Sequence, residues 1–127
     1  MSSSIEHKVQ QQLLVVDDEY FNYEILKAAL SAKFDVNYAD SGTSCLASAI
    51  ANPPDIILLD VCMPGLDGYD TCRMLKHTPE TKNIPIVMVS GLESPLEKQA
   101  GFDAGCDAYV VKPFSVPLLL EQINKIV

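Results

Sequence analysis

The sequence predicts a three-layer α/β sandwich: a doubly wound (βα)5 fold in which helices cover both faces of a five-stranded parallel sheet. Short apolar runs alternate five times with helical segments along the chain, and such runs suit parallel strands buried on both faces. The length of 127 residues fits one such domain. A (β/α)8 barrel needs a chain about twice as long.

The first half of the chain supplies two strand–helix units. Residues 13–16 form an apolar run, and residues 20–32 place apolar side chains at helical spacing. Residues 34–39 alternate between apolar and polar side chains, which is typical of a strand. Residues 42–51 then suit a helix that is stopped by Asn52-Pro53-Pro54.

The second half supplies three more units. Pro85 stands near the start of an apolar run, where a missing backbone N–H is tolerated. Ser94-Pro95-Leu96-Glu97 matches a capping box with proline at the first helical position, and that helix should end near Ala104. The predicted strands are 56–59, 84–89 and 108–111, and the predicted helices are 67–76, 95–104 and 115–127.

Composition limits the possible functions. We expect residues 1–10, which are polar, to be a flexible N-terminal segment and residues 11–127 to form the domain. The net charge of −8 argues against direct binding to nucleic acid or to anionic membranes. The sequence contains neither an apolar run of 18 residues nor a C-x-x-C pair, so we expect a cytoplasmic protein with free, mostly buried cysteines.

Polar residues follow four of the five predicted strands. Asp17 and Asp18 follow the first strand, Asp60 the third, Ser90 the fourth and Lys112 the fifth. Ligands of open α/β sheets bind outside the carboxyl ends of the strands. These five side chains therefore form a candidate site, although each alone could be a helix cap, a turn residue or a surface charge.

The chemistry of this set indicates phosphoryl transfer. Three converging carboxylates would repel one another unless a cation such as Mg²⁺, which prefers oxygen ligands, bound between them. Lys112 and Ser90 suit phosphate oxygens. Asp60 is the natural nucleophile, because Asp17 and Asp18 are better placed to share the metal.

The sequence resembles the response-regulator receiver family of two-component signalling, which includes the bacterial chemotaxis response regulator. The resemblance covers about residues 13–127. The matching segments are Val15-Val16-Asp17-Asp18-Glu19, Asp60-Val61-Cys62-Met63-Pro64-Gly65-Leu66-Asp67-Gly68, Val89-Ser90-Gly91 and Gly105 to Phe114. The resemblance implies a flavodoxin-like sheet with strand order 2-1-3-4-5.

The resemblance also implies roles at the acidic end of the site. Asp60 would be the phospho-acceptor of a phosphoprotein that is not an enzyme in the usual sense. Asp18 and Asp60 would bind Mg²⁺ through their side chains, Cys62 through its backbone carbonyl, and Asp17 mainly through water. The phosphodonor would be a histidine kinase or a histidine phosphotransfer protein.

The resemblance assigns the switch as well. Lys112 would bind the phosphate, and the Lys112–Pro113 peptide would be cis. Ser90 would move toward the phosphate and Tyr109 would change rotamer, altering a face made by the fourth helix, fifth strand and last helix, through which a homodimer could form. Plain strand packing remains an alternative for Tyr109.

Two other functions remain open from the sequence. A receiver-like interaction module without phosphate cycling would normally lack one of Asp60, Lys112 or the acid pair, and all are present. A phosphohydrolase with an aspartate nucleophile would need a second acid two residues after Asp60, where Cys62 stands instead. Cys62 and Leu92 depart from common family choices at positions that flank the phosphate, which affects the expected lifetime of the phosphoryl group.

Overall fold

Strands and helices alternate five times in the structure, a computed structural model that describes residues 10–127. The predicted flexible segment therefore lies, except for Gln10, outside the described residues. The elements are β1 (Gln11–Val16), α1 (Tyr20–Leu30), β2 (Phe34–Ala39), α2 (Gly42–Ala51), β3 (Ile56–Asp60), α3 (Gly68–Lys76), β4 (Ile86–Ser90), α4 (Pro95–Ala104), β5 (Ala108–Val111) and α5 (Val116–Ile126).

All strand pairs in the sheet are parallel, and the strand order is β2-β1-β3-β4-β5. The predicted three-layer fold and its 2-1-3-4-5 order are thus confirmed. Each residue of β3 and β4 is buried, because helices cover both faces of these inner strands. Only β2 and β5 lie at sheet edges.

Two apolar cores, one on each face of the sheet, hold the layers together. Alternation along β1 sends Leu14 to a core shared with α2, α3 and α4, and Leu13 to a core shared with α1 and α5. Burying each such side chain contributes about 1.5–3 kcal/mol. The carboxyl ends of β1 and β3 are therefore held rigidly from both sides.

Several helix boundaries follow from side-chain caps. The side chains of Asp67, Ser94 and Ser115 each accept a hydrogen bond from a backbone N–H of the first turn. Two of the helices therefore begin one residue after the predicted start, because Asp67 and Ser115 are N-caps and not helical residues. Ser94 caps α4 and Pro95 is its first residue, as predicted. The capping box is made only in part, because the Glu97 carboxylate accepts from the Ser94 hydroxyl and not from the Ser94 backbone N–H.

The cysteines behave mainly as small core residues. Cys45, Cys72 and Cys106 are buried and free, whereas Cys62 is exposed. Burial raises the pKa of Cys45 to about 12, which keeps that thiol protonated and unreactive. Among the residues described, no helix is long and apolar enough to cross a membrane.

Candidate functional site

Three carboxylates meet at the carboxyl edge of the sheet. Asp17 and Asp18 follow β1 and Asp60 ends β3, and β1 and β3 are adjacent. One carboxylate oxygen from each residue lies within 4.8 Å of the other two. Asp17 and Asp60 are buried while Asp18 is exposed, so the cluster opens to solvent on one side.

Lys112 brings a positive charge to the same point. Its Nζ lies 3.4 Å from Asp60 Oδ1 and 4.0 Å from Asp17 Oδ2. Its backbone N–H donates to the carbonyl of Ser90 at 2.7 Å, which fixes the end of β5 against β4. The peptide bond from Lys112 to Pro113 is cis, as expected.

One lysine does not balance the cluster. Burial raises the pKa of Asp60 above its ordinary value; Lys112 opposes this shift and the Asp17 charge adds to it. Three oxygen ligands with uncompensated negative charge and one solvent-facing side fit a hard divalent cation such as Mg²⁺, which keeps several of its waters. Which oxygens would contact the ion stays an expectation from the family resemblance, which gives direct contacts to Asp18 and Asp60 and a water-mediated contact to Asp17.

The carboxylate of Asp17 is already held by its own neighbours. Its Oδ1 accepts from the backbone N–H of Glu19 at 2.9 Å, and its Oδ2 accepts from the amide of Asn22 at 3.2 Å. Sequence reasoning missed Asn22. The sequence signal that could have predicted Asn22 is its position in the first turn of α1. This helix directly follows the acid pair, and its side chains tilt toward its N-terminus, where Asp17 lies.

The loop after Asp60 packs closely against the start of α3. The N–H of Gly68 donates to the carbonyl of Val61 at 2.9 Å, and a Cβ at position 68 would collide with the Asp60 carbonyl. A hydrogen bond from the backbone of Cys62 lowers the pKa of Asp60, although less than burial raises it. The backbone of Cys62 is therefore at the Asp60 carboxylate, while the metal role of its carbonyl remains a prediction.

Ser90 and Tyr109 both contact Leu92 in the loop before α4. Ser90 is buried and its Oγ accepts from the Leu92 N–H at 2.9 Å. The Tyr109 hydroxyl donates to the Leu92 carbonyl at 2.7 Å, and its half-buried ring packs on the core under α4. The ring fits there because residue 101 is glycine: a Cβ at that position would lie 2.9 Å from the Tyr109 ring.

A second tyrosine reaches the same segment from α3. The hydroxyl of Tyr69 donates to the carbonyl of Glu97 at 3.2 Å. Burial raises the pKa of Tyr69 to about 12, so its hydroxyl keeps the proton that it donates. The hydroxyls of Tyr69 and Tyr109 therefore hold the first turn of α4 and the loop before it, and the sequence pattern did not single out Tyr69.

Comparison with known proteins agrees with this geometry. Residues 13–124 match the family described as "Response regulator receiver domain". The chain belongs to that family, whose members take part in two-component signalling with histidine kinases and are typically phosphoacceptors, not true enzymes.

Two curated relatives carry a similar domain within longer chains. A probable cyclic di-GMP phosphodiesterase of Vibrio cholerae is 35% identical over 95% of this chain, and the response regulator PleD of Caulobacter vibrioides is 38% identical over 91%. These matches cover 27% and 26% of the respective relatives. The chain thus spans about a quarter of the length of these two proteins.

Solved structures give the same result. The chemotaxis protein CheY4 of Vibrio cholerae is 29% identical with a TM-score of 0.88, over 94% of this chain and all of that one. The receiver domain of the sensor histidine kinase PA1611 of Pseudomonas aeruginosa is 25% identical with a TM-score of 0.85, over 93% of this chain and 98% of that one. The PA1611 structure has a magnesium ion coordinated in its active-site cleft.

Proposed function

We propose that this domain accepts a phosphoryl group on Asp60 in a Mg²⁺-dependent reaction. The observation that carries the proposal is the meeting of three carboxylates and the Lys112 ammonium group at one edge of the sheet. Phosphoryl transfer depends mainly on positioning and charge neutralisation. Rigid strand ends and fixed charges supply both.

The proposed reaction moves the phosphoryl group from nitrogen to oxygen. A carboxylate oxygen of Asp60 attacks the phosphorus of a partner's phosphohistidine, the N–P bond breaks, and its electron pair returns to the imidazole ring. Lys112, which is 3.4 Å from Asp60, would stabilise the transferred oxygens, and Ser90 would donate a hydrogen bond to one of them. Asp18 and Asp60 would hold a Mg²⁺ ion, whose charge would offset the negative charge that develops on the transferred group.

The phosphodonor is a histidine kinase or a histidine phosphotransfer protein, which would approach the site beside α1. A cleft of about 550 Å³ runs from Asp60 and Lys112 between α1 and the residues that follow the cis peptide. Phe21 and Ile25 lie on α1 and expose 70% and 52% of their surface. Ile25 lines the same cleft as Asp60, and exposed apolar side chains on α1 suit a docking partner. The expected place of this reaction is the cytoplasm.

The output of phosphorylation would be a change on the face formed by α4, β5 and α5. Ser90 Oγ accepts from the Leu92 N–H, whereas a phosphoryl oxygen would accept a hydrogen bond from the Ser90 hydroxyl. Movement of that hydroxyl toward the phosphoryl group would draw it away from the Leu92 N–H and loosen the loop that Tyr109 also holds. Leu96 and Phe102 expose 84% and 47% of their surface on α4. One of the three elements of that face, α4, therefore exposes apolar side chains that a homodimer partner or an effector would contact.

Phosphorylation can be tested directly with a small donor such as acetyl phosphate. Intact-mass spectrometry should show one added phosphoryl group with Mg²⁺ and none with EDTA. Asp60→Asn should remain unmodified, while Asp67→Asn, which changes an acid outside the cluster, should react like the wild type. Modification that persists in Asp60→Asn would refute the assignment of the acceptor.

The switch needs a separate experiment. Beryllofluoride mimics the phosphoryl group on an aspartate, so its addition with Mg²⁺ should shift NMR signals across residues 94–111 as well as around Asp60. Shifts confined to the loops near Asp60 would show that the domain does not signal through the α4–β5–α5 face.

A further inference from the structure

Three tyrosines pack together beside the carboxylate cluster. The rings of Tyr23 and Tyr38 are stacked, with centroids 4.6 Å apart and planes inclined by 26°. Tyr20 lies edge-on to Tyr38 at 5.4 Å. The ring of Tyr38 at the end of β2 is therefore held on two sides, and the direction of its hydroxyl is fixed.

That hydroxyl points at the backbone of the acid pair. It donates to the carbonyl of Asp17 at 2.8 Å, while the N–H of Asp17 donates to the carbonyl of Ala39 at 3.2 Å. The Asp17 carbonyl belongs to the peptide that links Asp17 to Asp18. Two bonds from neighbouring residues of β2 thus fix the main chain at the point where the two carboxylates diverge.

We propose that Tyr38 is a positioning residue for the cation site: its hydroxyl orients the Asp17–Asp18 peptide so that both carboxylates face one divalent cation. The inference rests on the proposed function, because that function supplies the cation. Hydrogen-bond partners behind metal ligands orient those ligands and change metal affinity when removed. Asp18 is exposed, so its backbone is the main restraint on where its carboxylate points.

The surroundings of Tyr38 keep its hydroxyl able to donate. Burial raises its pKa, and the charges of Asp40, Asp17 and Asp18 raise it further.

The test compares two variants that each lose one hydroxyl from the same aromatic stack. Tyr38→Phe keeps the ring and loses the bond to Asp17. Tyr23→Phe is the matched control, because within the described chain the Tyr23 hydroxyl has no hydrogen-bond partner, whereas its ring takes part in the same stack. Isothermal titration calorimetry with MgCl₂ measures the affinity, and thermal melts without metal report any general loss of stability.

We expect Tyr38→Phe to raise the Mg²⁺ Kd about tenfold, the lower end of the range for such partners, and Tyr23→Phe to change it less than about twofold. The amide signals of Asp18 and Glu19 should also shift in metal-free Tyr38→Phe and not in Tyr23→Phe. Equal Mg²⁺ affinity in wild type and Tyr38→Phe would overturn the positioning role alone. A wild-type protein that binds no Mg²⁺ would overturn the proposed function together with it.

Discussion

Removing one charge from the carboxylate cluster should have opposite effects on stability without and with Mg²⁺. Two unit charges at 4.8 Å, the upper limit of the separations within the cluster, repel by about 3.5 kcal/mol at an effective dielectric constant near 20. Asp18 is exposed, so solvent screening reduces the repulsion energy that its charge contributes to about 0.5–1 kcal/mol. Asp18→Asn should therefore be more stable than the wild type in EDTA.

The corresponding temperatures follow from the size of the domain. An unfolding entropy of about 2.1 cal/mol/K per residue gives about 0.25 kcal/mol/K for the described chain. The metal-free Tm of Asp18→Asn should thus rise by about 2–4 °C. Mg²⁺ at ten times Kd adds about 1.4 kcal/mol to a native state that binds it, so the wild-type Tm should rise by about 5–6 °C and the variant's hardly at all.

Thermal melts with and without millimolar Mg²⁺ measure both effects. Asp40→Asn is the matched control, because Asp40 is an exposed acid after β2 that accepts from the Ser44 hydroxyl and lies outside the cluster. It should keep the full Mg²⁺ shift. A wild-type Tm that is the same with and without Mg²⁺ would contradict this prediction. So would an Asp18→Asn variant whose Tm rises with Mg²⁺ as much as that of the wild type.

Three further changes test other parts of the site. Burial raises the pKa of Asp60, so wild-type stability should fall as pH rises from about 3.9 through the raised native pKa. Urea unfolding in EDTA should therefore show that Asp60→Asn has a higher unfolding free energy than the wild type at pH 7, and that this difference becomes smaller toward pH 4. A difference that does not change with pH would contradict this prediction. Leu92 is apolar and cannot orient a water molecule, so the wild-type acyl phosphate should decay several-fold more slowly than that of Leu92→Glu. Mass spectrometry measures the decay, and Leu92→Met is the control. Equal decay rates in the wild type and Leu92→Glu would contradict this role for Leu92. Tyr69→Phe loses the bond to the Glu97 carbonyl and should lower the unfolding free energy by about 0.5–1.5 kcal/mol, and unchanged urea curves would show that this bond carries no stability.

The sequence was sufficient to predict the fold and the charged residues that meet at one edge of the sheet. Buried parallel strands have continuous apolar runs, and Asp60 and Lys112 directly follow such runs, so topology alone brings them to one edge. The cis peptide before Pro113 was predicted only from the family resemblance, because most X–Pro peptide bonds in folded proteins are trans.

The supporting hydrogen bonds could not be predicted in the same way. Tyr38 is 21 residues from Asp17, and its hydroxyl reaches that carbonyl only through the pairing of β1 with β2 and the stacking on Tyr23. An alternating strand pattern tells which face Tyr38 occupies, not how far along the face its hydroxyl extends. The inward position of Tyr109 likewise depends on a rotamer, which the residue pattern at a sheet edge does not specify.

Gly101 places helix formation and ring packing in direct competition. An alanine there would favour α4 by about 1 kcal/mol in intrinsic propensity, but its methyl group would lie 2.9 Å from the Tyr109 ring and 3.0 Å from the Met88 sulfur. Alanine, with its higher helix propensity, would thus displace the Tyr109 ring and break its hydrogen bond to Leu92. The absence of a methyl group at position 101 lowers the stability of α4 and leaves the space that the aromatic ring occupies.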